Sequence, residues 1–388
     1  MMEAMKTLTL KKPHSLVGWP QPATSTGVAV IREAGGKLSS PLGWPSKHVS
    51  RETDPTDTRA DALDARETAT PDETEVRDDL SETSVSRETA GVASSDAPRA
   101  VAAAHTTDLP RPREPRVLTV ANQKGGVGKT TTAVNMAAAL SQSGLRVLVI
   151  DMDPQGNAST ALGIDHGGDV AGIYDVLIDG APLEDVVQES PSLPGLLCAP
   201  ATIDLAGAEI ELVPMVARES RLRKAVATFL AARKAAGSPV DYVFIDCPPS
   251  LGLLTINSFV AGSEVLIPIQ CEYYALEGLS QLLTNIELIK EHLNPTLTVS
   301  HILLTMYDGR TRLSSQVADE VRSHFASTVL RTSIPRSVRI SEAPSHGETV
   351  ITYDPVSSGA LCYLEAAKEV ARAAQSKGAQ TNQEGSDQ

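Results

Sequence analysis

The sequence predicts an α/β fold: a mostly parallel, twisted sheet covered by helices on both faces, behind a disordered N-terminal extension. Three observations carry this. From Arg116 onward, short near-continuous apolar runs alternate with helix-forming segments, the pattern of strands buried on both faces. The run Lys124-Gly125-Gly126-Val127-Gly128-Lys129-Thr130-Thr131 lies between one such strand and one such helix. Two later strands run into acids, at Asp151 and Asp246, and strand C-termini are where open α/β sheets bind ligands.

Taken in chain order, the residues up to about 114 are rich in Thr, Ser, Pro, Ala, Asp and Glu, with few large apolar side chains. Such a stretch cannot bury enough surface to offset chain entropy. Pro110, Pro112 and Pro115 punctuate the entry to the folded part. Strands are expected at 117–120, 147–150, 242–245, 264–269, 299–304 and 329–332, each a short β-branched or Leu-rich run. A helix is expected over 131–140, directly after the glycine loop, and a final one over 359–374, packed on the sheet. The expected organisation is a disordered extension (1–114), one α/β domain (115–375) and a flexible polar tail (376–388).

Composition excludes several classes. The 388 residues carry a net charge of −14, so no global basic field attracts nucleic acid, and any such contact needs a local patch. Aromatic residues are only 3%, too few for a single-strand stacking platform. The four cysteines, Cys198, Cys247, Cys271 and Cys362, lack metal-type spacing, and the simplest reading is a reduced, cytoplasmic protein. No apolar run is long enough to span a bilayer, and no signal-peptide apolar stretch is evident. No methionine separates Met5 from Met136, so a shorter product would need a non-AUG start.

The glycine loop is a phosphate cradle. Backbone N–H groups of the loop and of the following helix N-terminus point at an anion. Lys129 can neutralise β- and γ-phosphates, and the Thr130 hydroxyl can ligate Mg²⁺. The usual first glycine is absent, because Gln123 stands there, and a second lysine, Lys124, stands at the loop entrance. In Val243-Phe244-Ile245-Asp246, an apolar strand ends in a carboxylate suited to hold Mg²⁺ through a water. Cys247 beside it reads as a small buried residue rather than a catalytic thiol.

The loop resembles the deviant Walker A pattern KGGxGK[ST] of the MinD/ParA superfamily of P-loop ATPases. The run Asp151-Met152-Asp153-Pro154-Gln155-Gly156-Asn157-Ala158 resembles that of its ParA/Soj chromosome-partitioning branch. So do the segments 304–313 and 334–347, which match LTM(F/Y)DxRTxL and IPRxVRxSEAPSxG nearly intact. The resemblance covers about residues 116–375. It implies that Lys124 reaches across a dimer interface to the partner's ATP, and that residues 125–131 hold the nucleotide. It also implies that Asp153 positions the attacking water, that Asp151 supports Mg²⁺ or its water shell, and that Pro335 and Arg336 lie near the adenine. Arg310 and Arg339 match arginines used for non-specific DNA binding. On charge alone that arginine-rich segment reads equally as a solvated or salt-bridged surface. Arg312 departs from the Asn found in many relatives.

The function implied is an Mg²⁺-dependent ATPase that closes an ATP-sandwich homodimer, binds duplex DNA without sequence preference, associates with the nucleoid and is released by a ParB-like partner. A chromosomal role is expected, because no helix-turn-helix module precedes the ATPase domain. A MinD-like membrane ATPase is the alternative; residues 366–388 lack a large apolar face with a basic rim. A nucleotide-binding regulator without hydrolysis is opposed by the intact Asp153 and Asp246, and an iron–sulfur ATPase by the cysteine context.

The extension holds a repeat: Val49-Ser50-Arg51-Glu52-Thr53 recurs as Val85-Ser86-Arg87-Glu88-Thr89, and Gly-Trp-Pro occurs at 18–20 and 43–45. Low-complexity drift and a short linear binding motif are two readings. A third is that Val-Ser-Arg-Glu-Thr translates GTTTCACGTGAAAC, the palindromic centromere-like site of ParB proteins. Codons at 49–53 and 85–89 that do not spell the palindrome exclude this third reading.

Overall fold

The computed structural model describes residues 109–384, with side chains to residue 373. The Val-Ser-Arg-Glu-Thr repeats and the rest of the expected extension up to residue 108 lie outside the described residues. The described residues begin before the expected edge at 115. Leu109 is buried, and Arg111 donates to Asp241 Oδ2 at 2.6 Å and to the Gly144 carbonyl at 2.7 Å.

Eight strands form one sheet: β1 (Arg116–Val120), β2 (Val147–Asp151), β3 (Gln188–Glu189), β4 (Leu196–Ala199), β5 (Tyr242–Asp246), β6 (Glu264–Gln270), β7 (Thr298–Tyr307) and β8 (Val329–Pro335). Their order is β3-β4-β2-β5-β1-β6-β7-β8, and every pair is parallel except β3 with β4. All six expected strands are present. β3 and β4 are additions, one a two-residue polar edge and the other the run Leu-Leu-Cys-Ala between Gly195 and Pro200.

Among the described residues, the longer helices are α1 (Lys129–Gln142), α2 (Arg221–Ala235), α3 (Leu253–Ala261), α4 (Ala275–His292), α5 (Arg312–His324) and α6 (Ser358–Glu384). The last runs past Gln375, where the polar tail was expected to begin. α1 and α6 cover one face of the sheet, burying Met136, Leu140, Tyr363 and Val370 against β1, β2 and β5. α2 and α3 cover the other face, with Phe229, Val226 and Leu254 against the alternate residues of the same strands. α4 and α5 close the β6–β7 end.

At the opposite end from the ligand edge, Arg116 pins the central strands together. Its guanidinium meets the Glu264 carboxylate in bidentate fashion, at 2.6 Å for both contacts, and donates to the Val370 carbonyl at 2.7 Å. One buried fork thus ties β1, β6 and α6. Burial alone would raise the Glu264 carboxyl. The Arg116 hydrogen bonds and charge outweigh it, helped by Ser300 and His301, and bring the carboxyl to about 2.

Candidate nucleotide site

α1 forms because its residues are Ala-rich and its start is conformationally specified. Gly128 caps it at φ 89°, and Gly126 turns the loop at φ 73°. An L side chain at either would be strained, which explains the glycines. No side chain caps the helix. Its first N–H groups are therefore free to meet an anion. Thr305 Oγ1 donates to the Val127 carbonyl at 2.8 Å and fixes the loop to β7.

The loop opens on a cavity of about 390 Å³ lined by Gly125, Gly126, Gly128, Lys129, Thr130 and Thr131, with Asp153 and Asn157 opposite and Pro249, Met306 and Pro344 at its edges. A second cavity of about 320 Å³ shares Gly128, Thr131, Met306 and Pro344 and is walled by Ile334, Pro335, Arg336, Ile340 and Tyr363. The chamber that holds the loop glycines, Lys129 and Asp153 thus joins a second one walled by β7, β8 and α6 residues, an arrangement with room for a triphosphate and a base. A larger cavity of about 530 Å³ lies between the 176–184 segment and α2. Arg221 and Lys224 line it, but it has neither a glycine loop nor the paired acids, so size does not locate the site.

The acids behind the loop are paired by register: Asp151 on β2 sits beside Asp246 on β5. Both are fully buried. Burial pushes Asp151 up to about 6, against hydrogen bonds from the Ser159 backbone and side chain and from the Asp153 backbone. Those bonds engage both carboxylate oxygens. Ser159 N and Oγ reach Oδ2 at 2.9 and 2.8 Å, and Asp153 N reaches Oδ1 at 3.2 Å. Asp151 therefore braces the turn that carries Asp153. Asp246 differs: neither of its buried oxygens has a hydrogen-bond partner of good geometry. Burial and the Asp151 charge raise its carboxyl well above the usual range, while Thr130 and Lys129 oppose the shift. An orphaned buried carboxylate near a threonine hydroxyl is the donor set that an Mg²⁺ shell satisfies. Of the three expected metal residues, Asp246 and Thr130 present such donors here, while the Asp151 oxygens take the hydrogen bonds of Ser159 and Asp153.

Lys129 is 7% exposed, and its ammonium is pushed down by burial and held up by Asp246, Cys247 and Asp153. Lys124 is placed otherwise. It does not line the phosphate chamber. Its Nζ lies 2.6 Å from Glu272 Oε2, with 42% of its side chain exposed. Cys247 is buried, and burial pushes its thiol up to about 12, which removes it as a nucleophile.

The two expected DNA arginines occupy separate surface elements. Arg310 follows β7, is 91% exposed and pairs with Asp308 at 3.0 Å. Arg339, on the short helix Val338–Glu342, pairs with Glu342 at 3.1 Å and Asp354 at 3.3 Å. Arg312 is the first residue of α5. Sequence reasoning missed Met306, which borders both chambers at φ 50° and which no turn residue announces. It also missed Glu272, the partner of Lys124 across 148 positions.

Fold and site together define a P-loop nucleotide-binding protein. The comparisons refine this: a family model described as an AAA domain matches residues 115–299. The chain is 53% identical over 256 residues to the sporulation initiation inhibitor protein Soj of Bacillus subtilis, covering 66% of this chain and 98% of that one. It is 51% identical over 255 residues to the chromosome partitioning protein ParA of Caulobacter vibrioides, covering 66% and 93%. Among solved structures, cobyrinic acid a,c-diamide synthase from Mycobacterium smegmatis, with bound ADP and magnesium, superposes with a TM-score of 0.56 at 37% identity, covering 66% and 94%. The chain belongs to the Soj/ParA family of chromosome-partitioning P-loop ATPases. Among the described residues no helix is long and apolar enough to cross a membrane.

Proposed function

We propose that this protein hydrolyses ATP with Mg²⁺, closes an ATP-sandwich homodimer, and in that state binds duplex DNA non-specifically until a ParB-like partner triggers release. It would act in chromosome segregation, on the nucleoid in the cytoplasm. The observation that carries the reading is the division of labour between two lysines. Lys129 is buried in the phosphate chamber of its own chain, whereas Lys124 is exposed outside it. A lysine at the loop entrance that does not reach its own phosphates is available to another chain's.

Phosphoryl transfer needs positioning and charge neutralisation more than covalent chemistry. The α1 N-terminus and Lys129 hold the β- and γ-phosphates. Residues 125–131 line the triphosphate, and Pro335 with Arg336 wall the base side. Thr130 and Asp246 would hold Mg²⁺, which would supply charge neutralisation for the phosphates. Asp153, at the chamber wall and braced through Asp151, orients the attacking water. Arg310 and Arg339 meet phosphates by exchanging exposed ion pairs, which are individually weak.

Phosphate release from ATP tests the enzymatic part. Wild type should turn over with Mg²⁺ and stop in excess EDTA. Asp153→Asn should lower kcat by roughly 10²–10³-fold, the scale of losing one positioned group in a polar transition state. Turnover that persists in EDTA, or unchanged turnover in Asp153→Asn, would contradict the reading.

A further inference from the structure

We infer that His166 is a positioning residue for ATP hydrolysis: its imidazole clamps the turn 153–156 from outside and so fixes the Asp153 carboxylate at the chamber wall. The inference rests on the role given to Asp153 in the proposed function and names the device by which this chain holds that side chain in place.

Asp153 opens a tight turn. Gly156 N donates to the Asp153 carbonyl at 2.9 Å, and Gln155 N donates to Asp153 Oδ1 at 3.1 Å. Gly156 ends the turn at φ 64° and caps the helix Asn157–Ala161. On the inner side, Asp151 accepts from Asp153 N and from Ser159. A carboxylate that orients a water must be held to a fraction of an ångström, and one support leaves a short turn free to rock.

His166 supplies the outer support. A Cβ added to Gly156 would lie 2.8 Å from His166 Nδ1 and 2.9 Å from its Cε1, so the ring rests directly against the glycine backbone. His166 Nε2 lies 3.0 Å from Thr160 Oγ1, which itself lies 3.0 Å from the Gly156 carbonyl. A carbonyl only accepts, so Thr160 gives its single hydroxyl hydrogen to Gly156, and its oxygen accepts from His166. The ring therefore carries a hydrogen on Nε2, and a chain of two hydrogen bonds fastens the end of the turn.

The backbone beside His166 is tied down in turn. Gln188 Nε2, on β3, donates to the Asp165 carbonyl at 2.8 Å, and Gly167 N donates to Asp165 Oδ1 at 3.1 Å. The two-residue polar strand at the sheet edge thus anchors the clamp. Thr160 lines the phosphate chamber, whereas His166 does not. His166 therefore acts through Gly156 and Thr160 rather than on the nucleotide.

Steady-state ATP turnover of the full chain, with binding of a fluorescent ADP analogue, tests this. His166→Ala should lower kcat by about ten- to a hundredfold, the scale of misplacing a reacting group. The KM for ATP and the affinity for the ADP analogue should stay at wild-type values. His166→Gln, whose amide can donate to Thr160, should recover most of the loss. In an Asp153→Asn background, His166→Ala should cost little more, because the side chain it positions is already gone. Wild-type turnover in His166→Ala would overturn the inference. So would an equal fold-loss with and without Asp153, or a loss carried by KM and ADP affinity, and in each of these cases the role of Asp153 stands. Wild-type turnover in Asp153→Asn would instead overturn that role, and the clamp with it.

Discussion

Replacing Lys124 by alanine should lower ATP turnover on the order of 10³-fold while leaving the affinity of a single chain for nucleotide nearly unchanged. In the single chain, Lys124 contacts Glu272 at 2.6 Å and is absent from the walls of the phosphate chamber. Its removal cannot weaken contacts that it does not make. A cation delivered to the transferring phosphoryl group by another protomer belongs to the class of arginine fingers, whose loss costs about 10³–10⁵ in kcat. Lys129 provides the contrast. It is buried against Asp246, Asp153 and the loop. Lys129→Ala should therefore abolish nucleotide binding itself. Titrating a fluorescent ADP analogue into both variants, then measuring phosphate release, separates the roles. A Lys124→Ala protein that loses ADP affinity as Lys129→Ala does would show that Lys124 acts within its own chain.

Glu264→Gln should destabilise the fold by about 3–5 kcal/mol, because it leaves the Arg116 guanidinium buried without its counter-charge. Arg116 and Glu264 expose only 10% and 13% of their side chains, and the fork joins β1, β6 and, through Val370, α6. The same pair sets an acid limit. The folded Glu264 carboxyl titrates near 2, below its ordinary 4.5. Its contribution is thus fully present above pH 4.5 and is lost as pH falls through about 2. Urea unfolding of wild type and variant at pH 7 and at several acid values reads both effects. The difference between the two proteins should shrink as pH falls below 4.5. A variant as stable as wild type at pH 7 would show that the fork contributes no net stability.

How far the fold was legible follows from particular residues. β1, β2, β5, β6, β7 and β8 are runs of valine, isoleucine and leucine between helix formers, and that pattern survives without knowledge of contacts. β4 was not legible. Leu-Leu-Cys-Ala has no β-branched residue and sits between Gly195 and Pro200, which reads as a turn. β3 is two polar residues whose one sheet partner among the described residues is β4. The glycine loop, Asp153 and Asp246 were legible because phosphate binding demands fixed residue types at fixed spacing. The hydrogen bonds that Asp151 accepts were not, since their donor, Ser159, lies eight positions on.

The most direct measurement is binding to random-sequence duplex DNA with ATP, with ADP and without nucleotide, over a salt series. An ATP-switched DNA carrier should bind only with ATP. Its affinity should fall steeply as salt rises, because phosphate contacts release counterions. Arg310→Ala should weaken it uniformly across sequences and flatten the salt slope. Absence of DNA binding with ATP, in protein shown to dimerise, would contradict the DNA-carrier function, and equal binding with ADP would contradict its control by ATP.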